Sequence, residues 1–307
     1  MRVLTLYRHG FSMGTAPQKN THKRAKRSTV GGWSESSTRR NTAFLRSIDE
    51  RKLPTCEEGK PLVAVAFTLT VRDCPETSDE WHRIRRAFYD RLRRMGLVRS
   101  HWVTEWQRRG VPHLHGAFWF EEGKVIPAMI VEHWCKLTEH LGTTPRGQHF
   151  AAITDAIGWF QYLSKHASRG VKHYQRSPEN VPKEWKSKTG RMWGHTGDWP
   201  IMEGVKFSLD DEAFFAFRRI VKNWRLADSR TEVQKQVNRI LSTSAAMTPK
   251  QAFRSSSARH RVRAAKTMLK CTDEHLSNVR GVSEWVSEES QFLIIDHLRA
   301  QGYNIEC

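Results

Sequence analysis

The chain has 307 residues, with 51 Lys and Arg against 32 Asp and Glu and a formal net charge of +19. Its 38% hydrophobic and 10% aromatic content is enough to build one large core or two modest ones, which excludes wholesale disorder. No apolar run approaches the roughly 18–20 residues of a membrane helix, and the segment ahead of Arg8 is too short for a signal-peptide core, so neither membrane insertion nor secretion is expected. The five cysteines, Cys56, Cys74, Cys135, Cys271 and Cys307, are scattered and contain no Cys-x-x-Cys pair. That usage fits a reducing cytoplasm rather than a disulfide scaffold or zinc finger. An excess of cations on a packed chain points to a polyanionic partner, because each Lys or Arg set against a phosphate releases a condensed counterion.

Residues 1–60 carry 13 Lys/Arg and five Asp/Glu, with Gly, Ser, Thr and Asn spread through residues 15–42. They read as a basic, partly flexible N-terminal arm with one short strand at residues 3–7. Residues 62–71 are a β-rich run. After the Pro75 break, Trp81, Ile84, Phe88, Leu92 and Met95 recur at helical spacing, with Thr77 and Glu80 placed as a capping box and Gly96 as the stop. Residues 101–107 and 112–120 then read as a hairpin closed by Arg108-Arg109-Gly110. Pro127 opens a helix with Ile130, Trp134, Leu137 and Leu141 on one face, and a short strand at 149–154 precedes a helix opened by Asp155.

The order β-α-β-β-α-β is the split βαβ arrangement, so residues 61–200 are expected to form an α+β domain. It has an antiparallel, ferredoxin- or RRM-like sheet, two helices on one face, and strand 112–120 internal next to strand 62–71. Trp185, Trp193 and Trp199 mark the stretch before Pro200 as an ordered loop. Residues 201–307 read as a helical, basic C-terminal region, with a helix near 210–225 carrying Phe214, Phe217, Val221 and Trp224. Residues 233–272 contain no acidic side chain and are either a second DNA-contacting surface or a mobile basic tail.

His113 and His115, two apart on a strand, leave the same face of the sheet. With a three-residue loop at 108–110, cross-strand partners sum to about 218, so Glu105 falls opposite His113 on the histidine face, with Gln107 beside it. Two imidazoles and a carboxylate from adjacent strands make a three-ligand set with positions open to water and substrate, and Gly116 leaves room alongside. On the helix after Asp155, Tyr162, Lys165 and His166 share one face while Ile157, Phe160 and Leu163 point inward. A phenol is a poor nucleophile until a nearby cation favours its ionised form, and Lys165 is placed to supply that charge. Arg108 and Arg109 at the hairpin tip, and Arg169, Lys172, Tyr174 and Arg176 downstream, mix cations with an aromatic ring in the way that suits single-stranded nucleic acid.

Three stretches in order carry a resemblance to a known family. Ala66-Phe67-Thr68-Leu69-Thr70, then Glu105 with Arg109-Gly110-Val111-Pro112-His113-Leu114-His115-Gly116, then Tyr162-Leu163-Ser164-Lys165, resemble the motifs of the HUH endonuclease superfamily. Within it they are similar to the rolling-circle replication initiation proteins of filamentous, inovirus-like phages. Gly190-Arg191-Met192-Trp193-Gly194 resembles the loop that closes the domain in phage members. The resemblance implies an HUH nuclease sheet, and Mg²⁺ or Mn²⁺ held by His113, His115 and Glu105. It implies that Tyr162 attacks a DNA phosphorus, leaving a 5′-phosphotyrosyl bond and a 3′-hydroxyl that primes synthesis. Single-stranded DNA at a replication origin is then the partner, in the cytoplasm of a bacterial host. No Walker A sequence is present, so a host helicase and polymerase are expected to unwind and extend. Some phage initiators carry a second tyrosine where this chain has His166. Either a single tyrosine acts and a second protomer helps to terminate, or Tyr174 is its partner. The same chemistry serves plasmid initiators, relaxases and transposases, and a non-enzymatic nucleic-acid-binding protein is the reading from another class.

Overall fold

The structure, a computed structural model, describes residues 2–15, 31–168, 175–244, 246–269 and 282–307. In chain order, β1 (Arg2–Tyr7), β2 (Gly10–Thr15) and α1 (Glu35–Arg46) precede β3 (Leu62–Thr70), α2 (Ser78–Arg94), β4 (Leu97–Trp106), β5 (Pro112–Glu121), α3 (Pro127–Leu137), β6 (His149–Ala152) and α4 (Ala156–Ser168). Then come β7 (Trp193–Thr196), β8 (Val205–Leu209), α5 (Asp211–Thr243), α6 (Pro249–Ser255), α7 (Arg259–Thr267), β9 (Ser283–Glu284), α8 (Glu288–Ala300) and β10 (Ile305–Glu306). The chain divides into two compact units, residues 21–202 and residues 1–20 with 203–307.

The unit of residues 21–202 holds a five-stranded sheet in the order β6-β3-β5-β4-β7, every neighbour antiparallel. This is the split βαβ sheet, with β5 inside beside β3. Local chemistry explains its elements. Thr77 caps α2 by accepting the Glu80 amide at 3.2 Å, while the Glu80 carboxylate takes the Glu76 amide at 2.9 Å, one residue earlier than a closed capping box would have it. Pro127 sits at the first turn of α3, where a missing N–H costs nothing. Asp155 accepts the Gly158 amide at 2.8 Å and starts α4. Gly96 and Gly110 adopt φ +85° and +75°, the left-handed conformation that ends α2 and closes the β4–β5 hairpin.

Helices α2 and α3 cover one face of the sheet, where Trp134 stands edge-on to Trp81 at 5.6 Å and to Phe88 at 5.2 Å, and Phe118 of β5 meets Phe88 and Tyr89. The other face is covered as well. Phe44 of α1 stacks on His195 of β7 at 4.0 Å, and Phe160 of α4 lies 6.2 Å from Trp119 of β5. Covering both faces is what lets polar groups on β4 and β5 be buried. Gly116 answers to the α2 side rather than to the histidines, since a Cβ there would come within 2.5 Å of the Phe118 ring. The 190–194 stretch forms the entry to edge strand β7, and Trp185 is fully buried, its indole donating to the Pro75 carbonyl at 3.0 Å.

The N-terminal segment departs from the expected arm. Residues 2–15 form a hairpin in a second five-stranded sheet, ordered β10-β8-β1-β2-β9, whose other strands all come from the C-terminal part of the chain. The reason is the alternation of Leu4, Leu6, Phe11 and Met13, which bury one face with Phe214 and Phe217 of α5 and Ile294, Ile295 and Leu298 of α8. Residues 31–60 instead belong to the unit of residues 21–202, through α1. Helix α5 continues well past the expected end near Arg225, and Trp224 is 40% exposed rather than part of the inward face. Residues 233–244 and 246–269 are folded, not a tail, because α6 and α7 pack Ala252 and Ala258 against Val233 and Val237 of α5.

His101 on β4 is fully buried, and its Nε2 donates to Asn41 Oδ1 at 2.7 Å. Burial, with help from the nearby His195 and Arg176, holds it far below the ordinary value of 6.5, at about 3. Between those values the unfolded chain binds a proton that the native chain does not, so stability falls as the pH drops through this window, by up to about 1.4 kcal/mol per pH unit. Urea titrations at pH 7 and pH 5 are expected to show this decline, and His101→Gln is expected to flatten it. An unchanged pH slope in that variant removes His101 as a source.

Candidate active site

The β4–β5 register sets Glu105 directly against His113, and β3–β5 sets Thr68 against His115. Strand alternation then puts Thr68, Glu105, His113 and His115 on the α4 side of the sheet. The Nε2 atoms of His113 and His115 converge to 2.8 Å, and His115 Nε2 is 3.5 Å from Glu105 Oε2. One ligand atom from each of the three residues lies within 4.8 Å of the others, and all three side chains are buried. Among the described residues this is the one such cluster of His, Cys, Asp or Glu.

Two of the three are held by a neighbour outside the cluster. His115 Nδ1 is 2.9 Å from Thr68 Oγ1. With Nδ1–H donating to that hydroxyl, the lone pair remains on Nε2, facing the cluster. Burial lowers His113 to about 4, so it is a neutral imidazole near neutral pH, and among the described residues its Nδ1 has no hydrogen-bond partner. Burial also pushes the Glu105 carboxyl up, and Arg176 pulls the other way. The Arg176 Nε donates to Glu105 Oε1 at 2.8 Å and its Nη2 to the Leu163 carbonyl at 3.3 Å, while the guanidinium lies 4.0 Å over the Trp33 ring. Trp33 is fixed in turn by donating to the Thr104 carbonyl at 2.9 Å.

Tyr162 stands on α4 at the mouth of the cluster. Its ring centroid is 6.3 Å from that of His115, nearly perpendicular, and it stacks with Trp159 at 5.2 Å. Phe160 and Leu163, both essentially fully buried, anchor the helix so that Tyr162, 39% exposed, faces outward beside the histidines. The arrangement thus joins a phenol open to a large substrate with a buried nitrogen–oxygen donor set of the kind that holds a hard or borderline divalent cation.

The family model for the ORF2-type Replication-associated protein matches residues 64–170, the stretch from β3 through α4 that carries Thr68, Glu105, His113, His115 and Tyr162. Over 307 residues, 99% of each chain, the protein is 50% identical to the Replication-associated protein of Pseudomonas phage Pf3. The chain belongs to this family of replication-associated proteins. It is also 42% identical over 311 residues to a putative replication protein of Xylella fastidiosa strain 9a5c, again across 99% of both chains. A putative replication protein of strain Temecula1 is 43% identical over 293 residues, 94% of this chain and all of that one. No solved structure matches the chain.

In this family member, Arg176 corrects an expectation. It is 1% exposed and paired with Glu105, so it cannot meet a DNA phosphate on the surface; the Gln175 carbonyl, accepting the Trp106 amide at 2.8 Å, draws this segment onto β4. Arg109 is exposed but committed, donating to Gln107 Oε1 at 2.7 Å and to the Val71 and Arg72 carbonyls at 2.6 Å each, which clasps the hairpin tip to the end of β3. Arg108 is exposed at the same tip. Arg169, Lys172 and Tyr174 lie outside the described residues, as does the side chain of Lys165, whose backbone is in α4. The supporting roles of Thr68, Trp33 and Trp159 were missed. Thr68 was findable, since it lies in the first strand motif at the register position of His115; Trp33 carried no signal.

Removing one partner of a buried ion pair strands the other charge, at about 3–5 kcal/mol. Arg176→Ala is therefore expected to lower the urea midpoint sharply, and the double variant with Glu105→Gln to recover a large share of the loss. A single-variant loss below about 1 kcal/mol contradicts the pairing.

Proposed function

We propose that the protein is a metal-dependent, site-specific single-strand DNA endonuclease and ligase that initiates rolling-circle replication of phage DNA through a covalent bond to Tyr162. The observation that carries this reading is the Tyr162 ring at 6.3 Å from His115, beside the only three-ligand cluster among the described residues. The phenolic oxygen attacks the scissile phosphorus and a tyrosyl–phosphorus bond forms as the bond to the 3′-oxygen breaks. The phenol's proton passes to solvent or a base, and the departing 3′-oxygen takes one up. A 3′-hydroxyl attacking the phosphotyrosyl bond reverses the step and reseals the strand, since the transferred bond is conserved.

Glu105, His113 and His115 are the residues that would hold Mg²⁺ or Mn²⁺, which when bound supplies Lewis-acid polarisation of the scissile phosphate and offsets developing charge. Thr68 and Arg176 orient two of those donors. Lys165, one turn from Tyr162 in sequence, favours the ionised phenol, and Trp159 restrains the ring by stacking. Single-stranded DNA at an origin is the substrate, drawn by the excess of cations. Without a Walker A sequence in the chain, a host helicase does the unwinding and a host polymerase extends the freed 3′-end. The full-length likeness to a phage replication protein favours phage DNA over a plasmid or transposon, and the site of action is the host cytoplasm. Among the described residues no helix is long and apolar enough to cross a membrane.

Incubating the protein with Mn²⁺ and single-stranded origin oligonucleotides tests this. A protein–DNA adduct that survives denaturation is expected, and Tyr162→Phe is expected to abolish it; an undiminished yield in that variant removes Tyr162 from the chemistry. His113→Ala is expected to lower cleavage by at least roughly 100-fold while DNA binding stays within a few-fold and keeps its salt sensitivity. Binding and cleavage lost together would instead mark His113 as structural.

A further inference from the structure

Residues 233–269 hold eight Lys and Arg and no Asp or Glu, and the Tyr162 chemistry makes no use of them. The distal half of α5 forms a small three-helix unit with α6 and α7, closed by Val233, Val237, Ala252 and Ala258, with Ile240, Leu241 and Val262 packed against them. Three residues, Ser256-Ser257-Ala258, join α6 to α7. That turn is locked: Gln236 Oε1 on α5 accepts from Ser256 Oγ at 2.9 Å, Ser257 Oγ at 3.3 Å and the Ala258 amide at 3.0 Å. Two short helices, a three-residue turn and a supporting first helix make a helix-turn-helix, in which the second short helix is the one presented to DNA.

The surface of α7 has the pattern this use requires. At about 100° per residue, Ala258, Val262 and Ala265 form the face that packs inward, and His260, Arg263, Ala264 and Thr267 form the opposite, outward face. Arg259 and Lys266 flank that face on one side and Arg261 on the other. All seven of these non-core positions are exposed. A helix of this width carrying small residues and an arginine on its crest and cations along both shoulders fits the major groove, with crest groups reaching base edges and shoulder cations tracking the two phosphate rows. Single-stranded DNA is a poorer match, because α7 carries no Phe, Tyr or Trp on which bases would stack. A membrane surface is poorer still, since the apolar face of α7 is already covered by α5.

We propose that α5, α6 and α7 form a double-stranded DNA docking module with α7 as the groove-reading helix, a binding site separate from the nicking site and not needed for the reading of Tyr162. The test is fluorescence anisotropy of the full chain on two probes, an origin duplex and one of its strands alone, across a salt series. The triple variant Arg259→Ala, Arg261→Ala, Arg263→Ala is expected to weaken duplex binding at least about tenfold and to reduce the slope of log K against log salt by about 2, the two shoulder arginines counting roughly 0.9 each as phosphate contacts. Single-strand affinity is expected to change less than about threefold. Ala264→Glu, an exposed substitution that the helix tolerates, is expected to give a similar selective loss by placing a carboxylate on the crest. A smaller duplex loss in both variants, or an equal loss on both probes, overturns the proposal and leaves α7 a diffuse charged surface. The adduct assay reports on Tyr162 and the anisotropy on α7, so either reading fails without the other.

Discussion

Everything at the candidate site rests on the register of one hairpin. Gly110 closes the β4–β5 turn in a conformation that side-chain-bearing residues avoid, and from that closure the pairings back to Arg99 with Trp119 follow, Glu105 with His113 and Val103 with His115 among them. A slip of one residue would turn both imidazoles and the carboxylate toward the aromatic layer under α2 and α3. Arg109 reinforces the closure by clasping the tip to the carbonyls of Val71 and Arg72, so the turn is tied to β3 as well.

Burying a carboxylate between two imidazoles is costly unless its charge is answered. Arg176 answers it from a segment distant in sequence, and Trp33, from another, lies against the guanidinium, each segment held by a backbone contact to β4. The donor set is thereby kept dry and oriented, with Thr68 directing His115, before any substrate arrives. Tyr162 is treated differently. It lies at the rim of this rigid floor, on a helix fastened by Phe160 and Leu163, open to a partner as large as a DNA strand. In the proposed reaction this division of labour would pair a rigid, buried donor set with a phenol that a large substrate can reach.

The other unit draws on both ends of the chain. Its sheet is begun by residues 2–15 and completed by strands beyond residue 203, so the start of a stretch that is basic on average contributes a half-buried β-hairpin. Its long α5 serves two cores in succession, Phe214 and Phe217 toward the sheet and Val233 and Val237 toward α6 and α7. A purely solvating basic tail would have no need of the second.

By itself the sequence determined the elements from β3 to α4, their split βαβ order, the hairpin register and the placing of Glu105, His113, His115 and Tyr162, because turn residues, caps and period-two or helical spacing act over a few residues and leave local signals. Only the tertiary structure decided the rest. Pairing of β1 with β8, capture of Glu105 by Arg176, and the stacking of Phe44 on His195 all join positions whose partners are chosen by burial and charge compensation across the fold. Such long-range choices leave no periodic trace along the chain, which is why Arg176 read as a DNA contact and residues 1–60 as an arm.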